Sequence, residues 1–154
     1  MAVDEFNLRR NFIQEKIGDG VAIIFNAKEV TRNNDCNFKF RSDSYFHYFA
    51  NFPEPSSVLF IVGGNKPRSI LFCKEKNPDL ETWEGFIYGP DLAKENFGFD
   101  ETHSIEQIDK IAPKIIAKFK KIYTPLSANH NSNKRIQSWI KSNKNQKRAG
   151  IRSP

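Results

Sequence analysis

Three short apolar runs place the strongest constraint on how this chain can fold. They are GVAIIFN at 20–26, SVLFIVGG at 57–64 and SILFCKE at 69–75. Runs of this kind are typical of strands, and GVAIIFN suits a strand that is buried on both faces. Residues 65–67, with the sequence Asn-Lys-Pro, indicate a hairpin between the second and third runs. Helical patterns alternate with these strands, so the sequence predicts an α/β domain whose mixed β-sheet is flanked by helices.

Helical spacing of apolar residues predicts a helix near each end of the chain. The first covers residues 4–17, where Asp4 is placed to cap it. Its apolar side is predicted to hold Phe6, Phe12, Ile13 and Ile17. The last covers residues 131–143, and its apolar face is predicted to hold Ile136, Trp139 and Ile140.

The stretch between the hairpin and the last helix predicts two strands and two helices. WEGFIYG at 83–89 is predicted as a strand, and a short helix follows at 91–97. Residues 104–121 form a longer amphipathic helix that Pro113 should kink or divide. KIYTP at 121–125 is predicted as the last strand.

Length and composition are those of one globular domain. The chain has 154 residues, with 38% hydrophobic and 27% charged residues. No apolar run approaches the roughly 20 residues that span a membrane, and the start resembles no signal peptide. Cys36 and Cys73 match no metal-binding spacing, so we expect two reduced thiols. These features favour a cytoplasmic location.

The charges are distributed unevenly along the chain. All 18 acidic residues lie at positions 1–109, whereas residues 110–154 hold 12 of the 24 Lys and Arg residues. Such a basic tail can mark a nucleic-acid surface, the solvated face of helices, or a surface that meets an acidic partner. Nucleic acid is the less favoured of these interpretations because no nucleic-acid-binding motif accompanies the charge.

Catalytic and metal-binding patterns are absent from the sequence. His47, His103 and His130 lie far apart and in different local contexts. No glycine-rich phosphate loop, serine elbow or activated cysteine is recognisable. Glu54 and Glu81 could meet in the fold, but so could any two carboxylates. We therefore predict no catalytic residue and no metal ligand in this chain.

Five motifs in register carry a family resemblance. They are T-R-N-N-D at 31–35, F-R-x-D-S-x-F-x-Y at 40–48, N-F-x-E-P at 51–55, L-F-C-K-E-K at 71–76 and E-x-W-x-G at 81–85. In this order the chain resembles the N-terminal domain of Xaa-Pro aminopeptidase (aminopeptidase P), within the creatinase and prolidase family. The resemblance covers about residues 6 to 112 and weakens toward the end.

The second and third motifs also make physical sense as a helix that packs on the sheet. Seven of the 15 residues at 38–52 are Phe or Tyr. Asp43 and Ser44 can cap a short helix, with Phe46 and either Tyr48 or Phe49 turned inward. Family members usually have glycine at the position of Asn51, which implies a positive φ there.

The polar members of these motifs are predicted to have structural roles. Arg41, Asp43 and Glu54 are placed to form salt bridges with one another or to cap backbone groups. Pro53 and Pro55 should hold the backbone extended as it enters the next strand.

The resemblance implies a two-domain enzyme. The N-terminal domain would have a ribonuclease-H-like α/β fold, and a C-terminal "pita-bread" domain would hold two divalent metals, typically manganese. Residues 1–144 would then be the N-terminal domain, and 145–154 a linker toward a missing catalytic domain. This chain would hold no cofactor and would be inactive alone. Its expected partners are that catalytic domain, other copies of itself and, through the full enzyme, proline-containing peptides.

The resemblance also suggests which residues line the substrate route or an interface. Trp83 matches a tryptophan whose loop reaches toward a neighbouring subunit's active site in tetrameric bacterial members. A half-buried tryptophan of the core is the alternative for this residue. The loop with Arg32, Asn33, Asn34 and Asp35 is a further candidate for lining the access route.

Two other functions stay open at the level of sequence. The chain could be a stand-alone binding or scaffold protein that kept the fold without the peptidase half. It could also, less favourably, be a basic nucleic-acid-binding module, which would show binding that weakens steeply with salt.

Overall fold

Five β-strands and six α-helices make up the part of the chain that the computed structural model describes, residues 3–26, 44–125 and 130–148. In chain order the elements are α1 (Val3–Ile17), β1 (Gly20–Phe25), α2 (Ser44–Ala50), β2 (Val58–Val62), β3 (Arg68–Cys73), α3 (Pro78–Glu84), α4 (Gly89–Phe97), β4 (Glu101–Ser104), a 3-10 turn (Ile105–Gln107), α5 (Ile108–Ile116), β5 (Lys121–Tyr123) and α6 (His130–Arg148).

The strands form one mixed sheet in the order β4-β3-β2-β1-β5. β2 pairs antiparallel with both β1 and β3, whereas β5 runs parallel to β1 and β4 runs parallel to β3. In the middle of the sheet Ile23 lies beside Phe60, and Phe60 lies beside Ile70. The mixed sheet, its flanking helices and the β2–β3 hairpin confirm the architecture predicted from the apolar runs.

Helices cover both faces of the sheet, which explains why its central strand β2 is apolar throughout. Successive side chains of a strand point to opposite faces. In β2, Phe60 therefore packs in a cluster with α5 and α6, whereas Leu59 and Ile61 pack in a second cluster with α1, α2 and α4. Every residue of β2 is buried. None of the helices in the described residues is long and apolar enough to cross a membrane.

Helix α1 begins at Val3, one residue before the predicted cap. Phe6 is buried, and Ile13 and Ile17 pack against the core as predicted, but Phe12 is 58% exposed. Arg10 occupies the inner face instead, where its guanidinium donates to the carbonyl of Phe49 at 2.7 Å and lies 4.8 Å from the ring centroid of Phe99. Burial lowers the pKa of Arg10 to about 10. Apolar periodicity missed it because a cation is seldom buried.

Helix α2 confirms most of what the sequence predicts for the aromatic residues at 44–52. Phe46 is fully buried, Phe49 is half-buried and Tyr48 is 51% exposed, so Phe49 is the second inward ring. Asn51 has a φ of 53°, the left-handed conformation expected from its position at the end of the helix. Pro55 does not continue extended into β2, because a turn intervenes and Ser56 has a φ of 62°.

The region after β3 contains the largest departures from the predicted elements. The strand predicted at 83–89 is wrong: its first residues end α3, and its last residue begins α4. The short strand β4 was missed, because it has only four residues and three of them are half-buried. The long helix predicted for 104–121 is a 3-10 turn followed by α5, which contains Pro113 and ends at Ile116.

Helix α6 packs as its apolar spacing predicts. Ile136 and Trp139 are buried against α5, and Ile140 is half-buried beside them. The helix continues to Arg148, so residues 145–148, the first residues of the predicted linker, are helical.

Candidate functional site

The crossover from β3 to β4 presents the most exposed large apolar side chain in the described residues, Trp83, at 87% exposure. Trp83 lies in the last turn of α3, and Leu80, one turn earlier on the same side, is 43% exposed. Phe86, just beyond the helix, is 62% exposed. We call these three residues the Trp83 surface. Trp83 is therefore not a half-buried residue of the core. It lies on a helix and not at the end of a strand.

Local sequence explains why α3 forms in so short a segment. Asn77 is its N-cap, and the side-chain oxygen accepts hydrogen bonds from the backbone N–H groups of Asp79 at 3.0 Å and Leu80 at 3.3 Å. Pro78 occupies the first turn, where its missing N–H costs nothing. Gly85, with a φ of 90°, ends the helix and donates to the carbonyl of Glu81 at 3.0 Å.

An ionic and hydrogen-bonded clamp fixes the chain that follows α3. Lys76 Nζ lies 2.6 Å from Glu81 Oε1 and donates to the carbonyl of Ile87 at 2.8 Å. The N–H of Ile87 donates to Glu81 Oε1 at 3.0 Å. Lys76 Nζ also lies 4.1 Å from the ring centroid of Phe86, a cation–π distance. The residues that flank Trp83 are thereby tied to Lys76, which lies just after β3.

The clamp also sets the protonation of its carboxylate. The hydrogen bond from Lys76 lowers the pKa of Glu81, and the N–H of Ile87 acts in the same direction. Glu81 is therefore ionised at neutral pH and compensated by Lys76. This compensation argues against a role for Glu81 as a proton donor.

Glu54, from the N-F-x-E-P motif, forms a hydrogen bond with the same segment. The residue is 8% exposed, and its Oε2 accepts a hydrogen bond from the N–H of Tyr88 at 2.7 Å. Burial raises the pKa of Glu54, and the charge of Glu81 adds to that shift, whereas the Tyr88 N–H and nearby lysines oppose it. Its Oε1 is buried without a hydrogen-bond partner among the residues described. The charges of Glu54 and Glu81 interact, and each carboxylate accepts a hydrogen bond from the backbone of the same segment.

Packing between aromatic rings joins this segment to the core. The ring of Tyr88 packs at 5.6 Å from Phe52 and 5.1 Å from Phe97, measured between centroids. Gly89 has a φ of 76°, and a Cβ there would lie 2.9 Å from the Cβ of Lys76. Only glycine fits this close approach, so the start of α4 is held against the residues just after β3.

The described residues contain no recognisable metal-binding cluster or activated cysteine. No group of three His, Cys, Asp or Glu side chains that could hold a metal exists in the described part of the chain. Cys73 is buried, and burial raises its thiol pKa to about 12, which leaves no thiolate nucleophile at neutral pH. His103 lies 3.4 Å from Glu101 and its ring packs against Phe72, as expected for a structural histidine.

Several predicted residues fall outside the described residues. Arg32, Asn33, Asn34 and Asp35 are among them, as are Arg41 and Asp43, so their predicted roles stay predictions. Ser44 is the first residue of α2, and Pro55 is half-buried in the turn before β2. The structure thus joins Glu54 to the Trp83 segment but does not test the predicted Arg41–Asp43–Glu54 group.

Comparison with known proteins identifies the family. The family described as "Aminopeptidase P, N-terminal domain" matches residues 6–123. This chain belongs to that family.

Named relatives of this aminopeptidase P N-terminal domain are similar over the same region. A Xaa-Pro aminopeptidase of Haemophilus influenzae is 34% identical over 122 residues, covering 78% of this chain and 28% of the relative. The Xaa-Pro aminopeptidase of Escherichia coli is 35% identical over 109 residues, covering 69% of this chain and 25% of the relative. The chain therefore spans about a quarter of the length of these relatives.

Solved structures of aminopeptidase P also match this chain over only part of their own length. Aminopeptidase PepP of Pseudomonas aeruginosa superposes with a TM-score of 0.92 at 31% identity, covering all of this chain and 35% of that one. A zinc-substituted E. coli aminopeptidase P in complex with product gives a TM-score of 0.91 at 26% identity, over 36% of that chain. The described fold is thus the aminopeptidase P N-terminal fold.

The clamp beneath this domain's Trp83 surface is the part of the site that sequence reasoning missed. Lys76 and Glu81 each stood in a quoted motif, but nothing in their spacing of five residues indicated a contact. The signal that could have revealed α3 was Asn77-Pro78, an N-cap followed by a proline in the first turn.

Proposed function

We propose that this chain is the non-catalytic N-terminal domain of a manganese-dependent Xaa-Pro aminopeptidase. The observation that carries the proposal is the coverage of the relatives. A family domain that fills most of this chain accounts for only 28% of the Haemophilus enzyme and 25% of the E. coli enzyme. The enzymes named Xaa-Pro aminopeptidase therefore have most of their length outside the region that this chain matches.

Hydrolysis in this proposal belongs to a partner catalytic domain. That domain would hold two manganese ions, which would activate a water molecule for attack on the amide bond before proline. The described residues of this chain offer no cluster that fits such ions, and we assign no step of the reaction to them. We further propose a cytoplasmic location and an assembly that contains several copies of the chain.

The Trp83 surface would give this domain its part in substrate access and oligomer assembly. Tryptophan is the residue type most enriched among the side chains that dominate protein interfaces. Trp83 projects into solvent from a segment that the Lys76–Glu81 clamp and Glu54 already hold in place. Binding would therefore order few additional groups, which lowers its entropic cost. The loop with Arg32, Asn33, Asn34 and Asp35 is proposed to line the same route.

Peptide hydrolysis tests the proposal directly. The release of the first residue from an Xaa-Pro peptide would be measured with added manganese, for the 154-residue chain and for the full-length product of its gene. We expect turnover only in the longer protein. Turnover by the 154-residue chain alone would contradict the assignment, and inactivity of both would favour a stand-alone binding protein.

A further inference from the structure

A basic pocket of about 440 Å³ lies at one end of the sheet, apart from the Trp83 surface. Two chain connections form most of it: the β2–β3 hairpin contributes Lys66, and the α5–β5 connection contributes Lys118 and Lys120. Asp19, between α1 and β1, adds a carboxylate to the lining. Its volume falls in the range of small-molecule sites and is too small for a folded partner.

The three lysines make this pocket cationic. Lys66, Lys118 and Lys120 are exposed and form no ion pair within the described ranges of the chain. Arg68 also lines the pocket, but its Nε lies 2.7 Å from Glu101 Oε2, so its charge is already compensated. Three cations therefore face one carboxylate.

Two glycines of the β2–β3 hairpin are part of the pocket lining. Gly63 packs against the turn between α1 and β1, since a Cβ there would lie 2.2 Å from the carbonyl oxygen of Gly18. Gly64 has a φ of 83°, and a Cβ at this position would lie 3.5 Å from Asp19 Oδ1 and 3.6 Å from the ring of Phe119. A side chain at Gly64 would therefore be strained and would contact two other residues of the lining.

Arg68 holds the hairpin in the shape that the pocket needs. Its Nη1 donates to the carbonyl of Lys66 at 3.4 Å, while its Nε faces Glu101 on the neighbouring strand β4. The backbone of Lys66 is thereby tied to the sheet, although its ammonium stays free to reach into the pocket. Lys118 and Lys120 are held by the short connection between α5 and β5, whose Phe119 packs against the core.

We infer that the basic pocket binds a small oxyanion of the phosphate type, with two or more negative charges. Lysine ammonium groups are compact point charges, and several of them around one cavity favour multiply charged oxyanions over single carboxylates. With Asp19 counted, the three lysines leave the pocket a net charge of +2 from these four groups, which attracts a dianion more strongly than a monoanion. This inference does not depend on the function proposed above.

Calorimetric titration tests the inference with inorganic phosphate and pyrophosphate as probes. The whole 154-residue chain would be titrated at neutral pH and constant ionic strength, with acetate as a singly charged carboxylate probe. We expect saturable binding of pyrophosphate that is tighter than that of phosphate. Acetate binding as tight as pyrophosphate binding would overturn the assignment to multiply charged oxyanions.

A charge-matched pair of variants separates the pocket from general surface charge. The pocket variant is Lys66→Gln, Lys118→Gln, Lys120→Gln, and its control is Lys110→Gln, Lys114→Gln, Lys134→Gln. All six lysines are exposed, so both proteins should fold. We expect pyrophosphate affinity to fall roughly tenfold or more in the pocket variant and less than about twofold in the control.

Two results would overturn the site. One is an equal loss of affinity in both triple variants, which would mean non-specific attraction to a cationic protein. The other is an absence of saturable pyrophosphate binding by the unmodified chain. A separate variant, Asp19→Asn, should bind pyrophosphate more tightly because the repelling carboxylate is gone, and weaker binding in this variant would also contradict the inference.

Discussion

The two tryptophans of this chain occupy opposite environments. Trp139 on α6 is 2% exposed, and its indole Nε1 donates to Asp109 Oδ1 at 2.9 Å. Its ring packs at 6.1 Å from Phe25 and 6.0 Å from Phe60, between centroids. Trp83 on α3 is 87% exposed, and its side chain has no ring contact or hydrogen bond among the described residues.

The two environments indicate different roles, because Trp139 stabilises the fold whereas Trp83 does not. The surroundings of Trp139 explain its presence completely, because its ring fills the core and its one polar atom has a partner. Nothing in the folded domain explains Trp83, whose exposure wins no hydrophobic stabilisation for the chain by itself. The clamp beneath Trp83 nevertheless holds its segment in one shape. This combination supports the proposal that the Trp83 surface contacts another molecule.

Replacing the two tryptophans should give the largest contrast. Trp139→Ala should lower the free energy of unfolding by about 3–5 kcal/mol, because it empties a large buried site. Trp83→Ala should change it by no more than about 0.5 kcal/mol. Urea denaturation followed by circular dichroism measures both without relying on indole fluorescence. A loss of several kcal/mol in Trp83→Ala would show that Trp83 belongs to the core.

Removing the hydrogen-bond acceptor of Trp139 should have a smaller effect. Asp109→Ala should cost about 1 kcal/mol, because the indole N–H loses its partner while the ring stays buried. In the background of Trp83→Phe, the fluorescence reports Trp139 alone, and its quenching by iodide should rise only slightly. Asp109→Asn is the control, since its amide oxygen can still accept the bond. An equal loss in both variants would mean that charge and not the acceptor matters.

The buried Glu54 should show itself in the pH dependence of stability. Its pKa in the folded state is raised above 4.5, so the folded protein binds this proton more readily than the unfolded chain. Its contribution to stability is therefore fully present below pH 4.5 and is lost as pH rises through the raised folded pKa. Relative to Glu54→Gln, the unmodified protein should lose stability over that window. Urea titrations across acidic to neutral pH measure the difference, and a slope of opposite sign would contradict this account.

Glu81 should give the opposite slope and the smallest global effect. Its pKa is lowered from 4.5, so its contribution is present above pH 4.5 and is lost as pH falls through the folded pKa. Glu81→Gln should leave the core intact but accelerate hydrogen exchange at the amide of Ile87, which loses a charged acceptor. The amide of Ile61, in the buried strand β2, is an internal control. Unchanged exchange at Ile87 would show that the clamp does not order the segment.

Much of the fold could be predicted because its signals are local. The three apolar runs became β1, β2 and β3 because strands covered on both faces need apolar residues at every position. The positive φ of Asn51 was expected from the family resemblance, because family members usually have glycine at this position.

The missed elements depend on neighbours that the local sequence does not show. Strand β4, with the sequence ETHS, exists because it pairs with β3 at the edge of the sheet. In α3, the cap of Asn77 outweighs the strand preference of the aromatic residues that follow.

The site was predictable in its parts but not in its assembly. The resemblance suggested an exposed Trp83, with a half-buried core position as the alternative, whereas the clamp requires α3 to turn the chain so that Glu81 reaches Lys76 and Ile87. The basic pocket likewise joins a hairpin and a helix–strand connection that are about fifty residues apart in the chain.

The most direct test of the central claim is the kinetics of Trp83→Ala in the full-length gene product. We predict that kcat/KM for an Xaa-Pro peptide falls by roughly tenfold, or that the oligomer dissociates in analytical ultracentrifugation, while the urea midpoint stays unchanged. Phe12→Ala, which removes another exposed aromatic ring, is the matched control and should change neither property. Full activity and unchanged assembly in Trp83→Ala would contradict the claim that the Trp83 surface serves the assembled enzyme.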